Sequence, residues 1–345
     1  NLPRDISLYE SFDLVNWEDM GRVLVPGDEH DPPELVNFQS MTPFFYEDFC
    51  LGLLNTQYSL PGAETYEVFN KPPQDYPSGD ILGKVNVQLA YSRDGRKWSR
   101  PQDRSPIIAN GKYGSPDAGT IFVPSSNPII IDGQTWIYYY SYPLRHNSWS
   151  QLEEHKRVNG DARELAFGML ARMPEDHWVS LDAGSEEGWL LTRPHFAPTV
   201  QLLVNADAKG GSIEAEFLTP YGQPVEGFTR ADCFGISGNG KDQEIKWKGD
   251  TNPRDVNEKY RGGLCLKFYL KNAKLYSFSL VEPDPDGTIK RQWDSARWCE
   301  TIKHRSDNWG RASNAPAGGL PQPNCGSHVA ATRFGPNPRA DAKWS

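Results

Sequence analysis

Two stretches of the chain share one pattern: SFDLVNW at Ser11–Trp17 and SRDGRKW at Ser92–Trp98. Both have the form Ser-x-Asp-x-x-x-Trp, and their tryptophans lie 81 residues apart. A degenerate third copy ends 80 residues later, at Trp178. The Asp side chain of such a stretch can accept hydrogen bonds from backbone amides in a tight turn, and the Trp ring can pack across the hairpin. An internal repeat of this kind predicts one structural unit per copy.

Pairs of apolar segments precede the second and third copies. Met41–Tyr46 leads to Leu51–Leu54, and Ile129–Ile131 leads to Trp136–Tyr140. Each unit is therefore predicted to be a four-stranded meander closed by the turn, as in a propeller blade. The competing interpretation is a β-hairpin signature without radial symmetry.

Beyond Trp178 the repeat stops, while strand-like alternation continues through segments such as Ile213–Phe217 and Leu264–Leu270. The 31 Gly, 28 Pro and 41 aromatic residues also favour many short strands joined by turns. We therefore expect an all-β protein. Partial β-propeller blades, forming an incomplete ring, are predicted over residues 1–183, and an antiparallel β-sandwich over residues 184–283. A poorly defined tail with few aliphatic residues is predicted over residues 284–345.

Composition narrows the classes of function. The 345 residues carry 36 Lys plus Arg against 45 Asp plus Glu, a net charge of −9 that argues against a nucleic-acid partner. Apolar runs such as Trp136–Tyr140 are far shorter than the roughly 20 residues of a membrane-spanning helix, so no membrane partner is expected. No signal peptide is visible at Asn1–Asp5, and a secreted or periplasmic location is only slightly favoured.

No cofactor or metal is expected from the sequence. The histidines show no metal-ligand spacing, and no nucleotide-binding or Ser-hydrolase motif is present. The five cysteines are scattered without a close pair, so free buried thiols are predicted. They are Cys50, Cys233, Cys265, Cys299 and Cys325.

The repeat turns resemble blade turns of the five-bladed β-propeller glycoside hydrolases of families 32 and 43. Three longer segments resemble a bacterial subgroup similar to family 32, in which the propeller is joined to a C-terminal β-sandwich. These are Leu89–Trp98, Gly168–Glu187, and the run from Leu203–Asp207 through Gly227–Cys233 to Leu275–Phe278. The resemblance covers about residues 6 to 283 and implies a five-bladed propeller fold and action on carbohydrate.

This chain also differs from the proteins that it resembles in the number of its blades. Several blades precede the matched stretch in the relatives, whereas this chain starts at the outer strands of one blade and contains two more, so we interpret it as lacking the N-terminal blades. The family pattern has an Asp nucleophile, a transition-state-stabilising Asp and an acid Glu in the first three blades. No motif here matches those positions, and none of the three roles is carried over.

Candidate catalytic residues follow from the chemistry of glycoside hydrolysis, which needs two carboxyl groups flanking the scissile bond. The innermost strands of the predicted blades should begin near Asn37–Ser40 and near Ser115–Gly119. Glu34 and Asp117 are therefore the predicted catalytic carboxylates, with Asp31 in reserve. The alternative is that each is a loop carboxylate that caps a turn or lies in water.

Substrate-binding candidates lie beside these carboxylates. Asn37 and Gln39 stand where an innermost strand begins, and aromatic rings suit the apolar face of a sugar. Tyr113, His146 and Trp149 are the predicted ring contacts, with Tyr140 and Tyr142 as further candidates. Core packing or hairpin stabilisation is the competing explanation, and it is at least as good for Tyr138 and Tyr140.

Two functions remain open at the level of the sequence. The first is a glycoside hydrolase acting on an oligo- or polysaccharide through the carboxylate pair. The second is a non-catalytic carbohydrate-binding fragment of a hydrolase-like protein. An incomplete propeller would also expose sheet edges, so a homo-oligomer is a possible assembly.

Overall fold

The computed structural model describes residues 4–27, 31, 36–46, 49–58, 83–112, 114–124, 126–146, 165–194, 201–249, 263–281 and the short strand Arg333–Phe334. Within these ranges the regular elements are β-strands and one short 3₁₀ turn, Arg230–Asp232. The all-β prediction is confirmed. The chain divides into two compact units, with the boundary between Val179 and Ser180.

The first unit contains eleven described strands. They are β1 Ile6–Glu10, β2 Glu18–Leu24, β3 Val36–Tyr46, β4 Phe49–Tyr58, β5 Val85–Ser92, β6 Trp98–Ser99, β7 Pro106–Ile108, β8 Thr120–Phe122, β9 Ile129–Ile131, β10 Gln134–Tyr142 and β11 Phe167–Pro174. Strands β1 and β2 form a hairpin of their own. The other nine form one open sheet with the main order β11-β10-β8-β5-β4-β3.

This large sheet consists of two antiparallel meanders. Strands β3, β4, β5 and β6 pair in sequence order, which is the four-stranded unit that the repeat predicts. Strand β7 also pairs with β5. In the second meander, β8 and β9 both pair with β10, and β10 pairs in turn with β11. A single parallel pairing of Val85 with Thr120 joins the two meanders. The blade-like organisation of the first unit is thus present, in a sheet whose described strands leave it open at β3 and β11.

The first two repeat turns have the same geometry. Asp13 Oδ1 accepts the amides of Val15 and Asn16 at 2.9 and 2.7 Å. Asp94 Oδ1 accepts the amides of Arg96 and Lys97, both at 2.8 Å. These bonds lower the pKa of both carboxyls, because backbone donors favour the charged form. The predicted role of the Asp is confirmed in both turns, of which the first joins β1 to β2 and the second joins β5 to β6.

The degenerate third copy packs differently. Asp176 has a φ of 67°, and Trp178 is buried, with its ring centroid 5.2 Å from that of Phe44 and 5.8 Å from that of Tyr46. This Trp joins a core cluster on one face of the sheet. The third tryptophan therefore anchors the turn after β11 to the preceding meander.

The second unit contains two four-stranded antiparallel sheets. Its strands are β12 Leu181–Ala183, β13 Gly188–Leu191, β14 Gln201–Asp207, β15 Ser212–Leu218, β16 Asn239–Ile245, β17 Cys265–Lys271, β18 Ala273–Val281 and β19 Arg333–Phe334. The sheet orders are β12-β18-β14-β16 and β15-β17-β13-β19. Apolar residues of both sheets form one buried cluster, in which the rings of Phe268 and Phe278 are 5.0 Å apart. The second unit is a β-sandwich.

The sandwich follows the alternation seen in its sequence. Ile213, Ala215 and Phe217 of β15 are buried, and so are Leu266 and Phe268 of β17. The polar residues between them lie on the outer face, because successive strand side chains point to opposite sides. Cys50 and Cys265 are buried free thiols and Cys233 is a half-buried one, while the other two cysteines lie outside the described residues.

Candidate functional site

A row of polar side chains crosses the end of the large sheet where β3 begins and β4 ends. Arg4 Nη1 donates to Gln39 Oε1, Gln39 Nε2 donates to Gln57 Oε1, and Gln57 Nε2 lies 3.3 Å from His146 Nδ1. The backbone amide of Arg4 also donates to Asn37 Oδ1 at 3.0 Å. We call Arg4, Gln39, Gln57 and His146 the polar row.

Local strand geometry places two members of the row. In the pairing of β3 with β4, Phe38 stands opposite Thr56 and Ser40 opposite Asn55, so Gln39 is the extra residue of a β-bulge. A bulge re-aims the side chain that it carries. Gln57 is only 6% exposed and lies at the base of the row, while Gln39 is half-buried above it.

The guanidinium of Arg4 sets the direction of every bond in the row. Arginine has donors and no acceptor, so it must bind the amide oxygen of Gln39. Gln39 then presents its NH₂ to the oxygen of Gln57, and Gln57 presents its own NH₂ to His146 Nδ1. An imidazole that accepts at Nδ1 keeps its proton on Nε2. The row thus fixes His146 as a hydrogen-bond donor at Nε2.

The environment of His146 keeps the ring neutral. Burial lowers its pKa below the ordinary value of 6.5, and the positive charge of Arg4 lowers it further. Its backbone amide donates to Gly83 O at 2.7 Å, which holds the loop after β10 against the start of β5. One edge of the imidazole meets the ring of Phe122, with centroids 6.0 Å apart.

Asp117 lies in the turn that precedes β8. Its carboxylate accepts a hydrogen bond from the hydroxyl of Ser115 at 2.7 Å and lies 3.4 Å from the hydroxyl of Tyr139. A Cβ atom at Gly111 would approach Asp117 Oδ1 to 2.1 Å, so any other residue at this position would force the carboxylate to shift. Burial, and then the charge of Asp117, raise the pKa of Tyr139. The carboxylate is therefore held in one place by its neighbours.

The structure brings some of the predicted residues together. Asn37, Gln39 and His146 meet in or beside the polar row, and Asp117 lies in the turn described above. The remaining predicted residues are outside the described residues, so the carboxylate pair is not seen. They are Glu34, Tyr113 and Trp149.

Asp31, the reserve carboxylate, lies in a second polar network on the opposite face of β4. Its carboxylate binds Arg100, and the two side chains are 4% and 2% exposed. Arg104 Nε is 3.4 Å from the same carboxylate. Arg100 also donates to Gln88 Oε1 and lies over the ring of Phe38 at 4.9 Å. Asp31 is therefore part of a buried ion pair, shielded from any substrate.

Sequence reasoning missed the residues that organise both networks. Gln57 is the penultimate residue of the strand FCLGLLNTQY, and Gln88 lies in the middle of the largely apolar strand VNVQLAYS. Gln88 Nε2 donates to the hydroxyl of Tyr58 at 2.6 Å, so this amide too is bonded at both ends. The available signal was an uncharged amide among the apolar residues of a strand, since such an amide is buried only where it has hydrogen-bond partners.

The structure also bears on metal binding and on membrane insertion. Among the residues that it describes, no group of three or more His, Cys, Asp or Glu is arranged to hold a metal ion. No helix in the described part of the chain is long and apolar enough to cross a membrane.

Comparison with known proteins gives a limited likeness. No family model matches the chain, and no curated protein matches it. Two solved structures, one named "Glycoside hydrolase" and the other an RGII complex, align with a TM-score of 0.28 and 14% identity over 50% of this chain. The alignment spans 37% of the length of each of those proteins. The likeness is thus to part of larger proteins, and it identifies no function.

Proposed function

We propose that this protein binds carbohydrate at the polar row and hydrolyses a glycosidic bond of an oligo- or polysaccharide. The observation that carries the proposal is the directed chain of hydrogen bonds from Arg4 through Gln39 and Gln57 to His146. The resemblance of the repeat turns to those of propeller glycoside hydrolases supports the same class of ligand.

The chemistry of the row suits a polyhydroxyl ligand. A sugar hydroxyl both donates and accepts, so it is bound best by fixed groups of known polarity. Asn37 and Gln39 are half-buried amides, and His146 offers an oriented Nε2–H at the other end. The amides and the neutral imidazole carry no charge, so a neutral sugar can replace water there without the cost of burying an unpaired ion.

Hydrolysis is assigned to Glu34 and Asp117. One carboxyl group protonates the leaving oxygen while the other acts as the nucleophile or activates water. Asp117 is held by Ser115 and Tyr139, which supplies the fixed position that such a group requires. In this proposal the polar row positions the sugar and the carboxylates act on the bond.

The test is chromatographic detection of released sugars and calorimetric binding, using a broad panel of poly- and oligosaccharides. Gln39→Ala should weaken binding about tenfold, because it removes the amide that links Arg4 to Gln57 in the hydrogen-bonded row. Gln134→Ala is the matched control, since Gln134 lies at the far end of β10, where its side chain donates to the neighbouring Gly133 O at 3.4 Å. Equal effects of the two substitutions would contradict the binding site.

The double variant Glu34→Gln with Asp117→Asn tests the chemistry separately. Loss of sugar release with binding retained would establish the carboxylate pair. Release that survives both changes undiminished would overturn the assignment of these two residues.

Non-catalytic carbohydrate binding is the second candidate function. It is favoured by the setting of Asp117, whose contacts with Ser115 and the space left by Gly111 also suit a carboxylate that stabilises a turn. Binding without release from any member of the panel would select this function.

A further inference from the structure

An open groove of about 450 Å³ lies on the outer face of the second meander. Its walls include Pro124, Tyr138, Tyr140 and Leu170, and its floor includes Gly168. Tyr138 is 50% exposed, Tyr140 39% and Leu170 38%. The groove therefore offers two accessible aromatic rings and an apolar wall to solvent, and among the described residues no charged side chain lines it.

Gly168 keeps this groove open. In the pairing of β10 with β11, Gly168 stands opposite Tyr140 and Leu170 opposite Tyr138. A Cβ atom built at Gly168 would meet no other atom within 4 Å, and its backbone is not in the left-handed region. Glycine weakens a strand interior and often marks a place where a ligand approaches the backbone. Here neither close packing nor backbone conformation requires glycine.

One aromatic ring, that of Phe122, contacts both a wall of the groove and the last member of the polar row. Phe122 of β8 stacks on Tyr140, with ring centroids 5.5 Å apart and an interplanar angle of 27°. The same Phe122 ring meets His146 with centroids 6.0 Å apart and an angle of 65°. One phenyl ring thus separates the last member of the polar row from the first wall of the groove.

We propose that the groove is an outer subsite for a neutral oligosaccharide, one of whose other sugar units occupies the polar row. The apolar face of a sugar ring packs on an aromatic ring, while the tyrosine hydroxyls at the rim can bond the equatorial hydroxyls. Because no described residue that lines the groove is charged, the lining favours a neutral unit over an acidic or basic one. This inference rests on the proposed function, since it extends the same binding site.

The size of the groove favours a sugar over a protein. Its volume lies within the 300–1,000 Å³ range of small-molecule sites, at about 450 Å³. A stable protein interface needs roughly 20–30 residues on each side. The groove has only a few exposed side chains, so a second copy of this chain is the less suitable occupant.

The experiment measures calorimetric affinity for neutral oligosaccharides of increasing length, using cello-, xylo- and inulo-oligosaccharides from one to about five units. Affinity should rise when a unit reaches the groove. Gly168→Leu fills the groove at a position with open space, and it should remove that gain, about tenfold, while leaving affinity for the shortest ligand unchanged. Gly184→Leu adds the same side chain at another open glycine, in the second unit, and should change nothing.

Tyr138→Ala provides a second variant, because a half-exposed ring can be removed with little loss of packing. It should reproduce the loss of the length dependence. An affinity that does not depend on length, or that neither Gly168→Leu nor Tyr138→Ala alters, would overturn the outer subsite. If Gln39→Ala still weakens binding in that case, the proposed function stands without the subsite.

Other outcomes separate the two proposals further. If Gly168→Leu removes the length dependence while Gln39→Ala has no effect, the subsite stands and the polar row is wrong. If no carbohydrate binds at all, both proposals fall. If Gly168→Leu instead converts a dimer into a monomer in sedimentation, the groove is an interface between copies and the subsite is overturned.

Discussion

The two units of the chain differ in how many polar side chains they bury beside their apolar clusters, and the first unit buries more. Among the described residues, the sandwich has one apolar cluster of 18 buried residues, to which both of its sheets contribute. The large sheet of the first unit has two smaller clusters, one on each face, with 11 and 5 buried residues. Buried amides and one buried ion pair accompany these smaller clusters, at Gln57, Gln88, Asp31 and Arg100.

The buried apolar surface of the sandwich mainly stabilises its fold, whereas the buried polar groups of the first unit also orient the residues of the candidate site. Apolar burial is favourable and has no preferred direction, so the sandwich core needs only shape and volume. A buried amide without hydrogen-bond partners destabilises the folded state. Such amides are therefore retained where their fixed orientation is useful. In the first unit, an arginine sets the polarity of a glutamine chain on each face of β4: Arg4 with Gln39 and Gln57, and Arg100 with Gln88.

The largest effect is expected in the sandwich core. Phe268 is fully buried and lies against Phe278, so Phe268→Ala should lower the free energy of unfolding of the second unit by about 4 kcal/mol. Urea denaturation followed by circular dichroism measures this change. The first unit's transition serves as the internal control and should not move. A loss below about 1 kcal/mol would mean that the two sheets do not interlock as described.

A somewhat smaller effect is expected at the buried ion pair of the first unit. Arg100→Ala leaves Asp31 without its main partner in a buried setting, and should cost about 3 kcal/mol in unfolding free energy. The double variant Arg100→Met with Asp31→Leu should recover most of that loss, because it removes both charges together. A double variant as unstable as Arg100→Ala would show that the pair stabilises the sheet through its other hydrogen bonds.

The smallest effect is a change in the pH dependence at His146. Since its pKa is below 6.5 in the folded protein, the unfolded chain binds a proton there before the native protein does as the pH falls. The first unit should therefore lose stability below about pH 6.5, as protonation of the unfolded chain sets in. His146→Gln keeps a polar side chain and removes this titration, so its stability should fall less steeply over that range. Equal slopes in urea titrations at several pH values would contradict the neutral, buried imidazole.

Much of the fold could be predicted from local patterns. The turns at Asp13 and Asp94 follow from side chains that bond neighbouring amides, and such contacts depend on residues only two or three positions away. The inward faces of β15 and β17 follow from alternation with a period of two. The pairing of Arg333–Phe334 with β13 could not be predicted, because strands so distant in sequence have no local signal for their register.

The candidate site was predicted less completely. The sequence placed Asn37 and Gln39 at a strand start and His146 in a polar loop, and these residues do come together in the structure. It did not identify Arg4 or Gln57, because the bond between Gln57 and His146 joins residues 89 positions apart.

The sequence by itself determined the class of secondary structure, the repeat turns and the apolar faces, since these depend on periodicity and on contacts between near neighbours. Tertiary structure alone decided the bulge at Gln39, the tautomer of His146, the burial of Asp31 and the groove beside Gly168. Each of these depends on which distant strands lie side by side. The physical reason is that a polar side chain acquires its orientation and protonation state from its partners, and folding brings those partners together from remote parts of the chain.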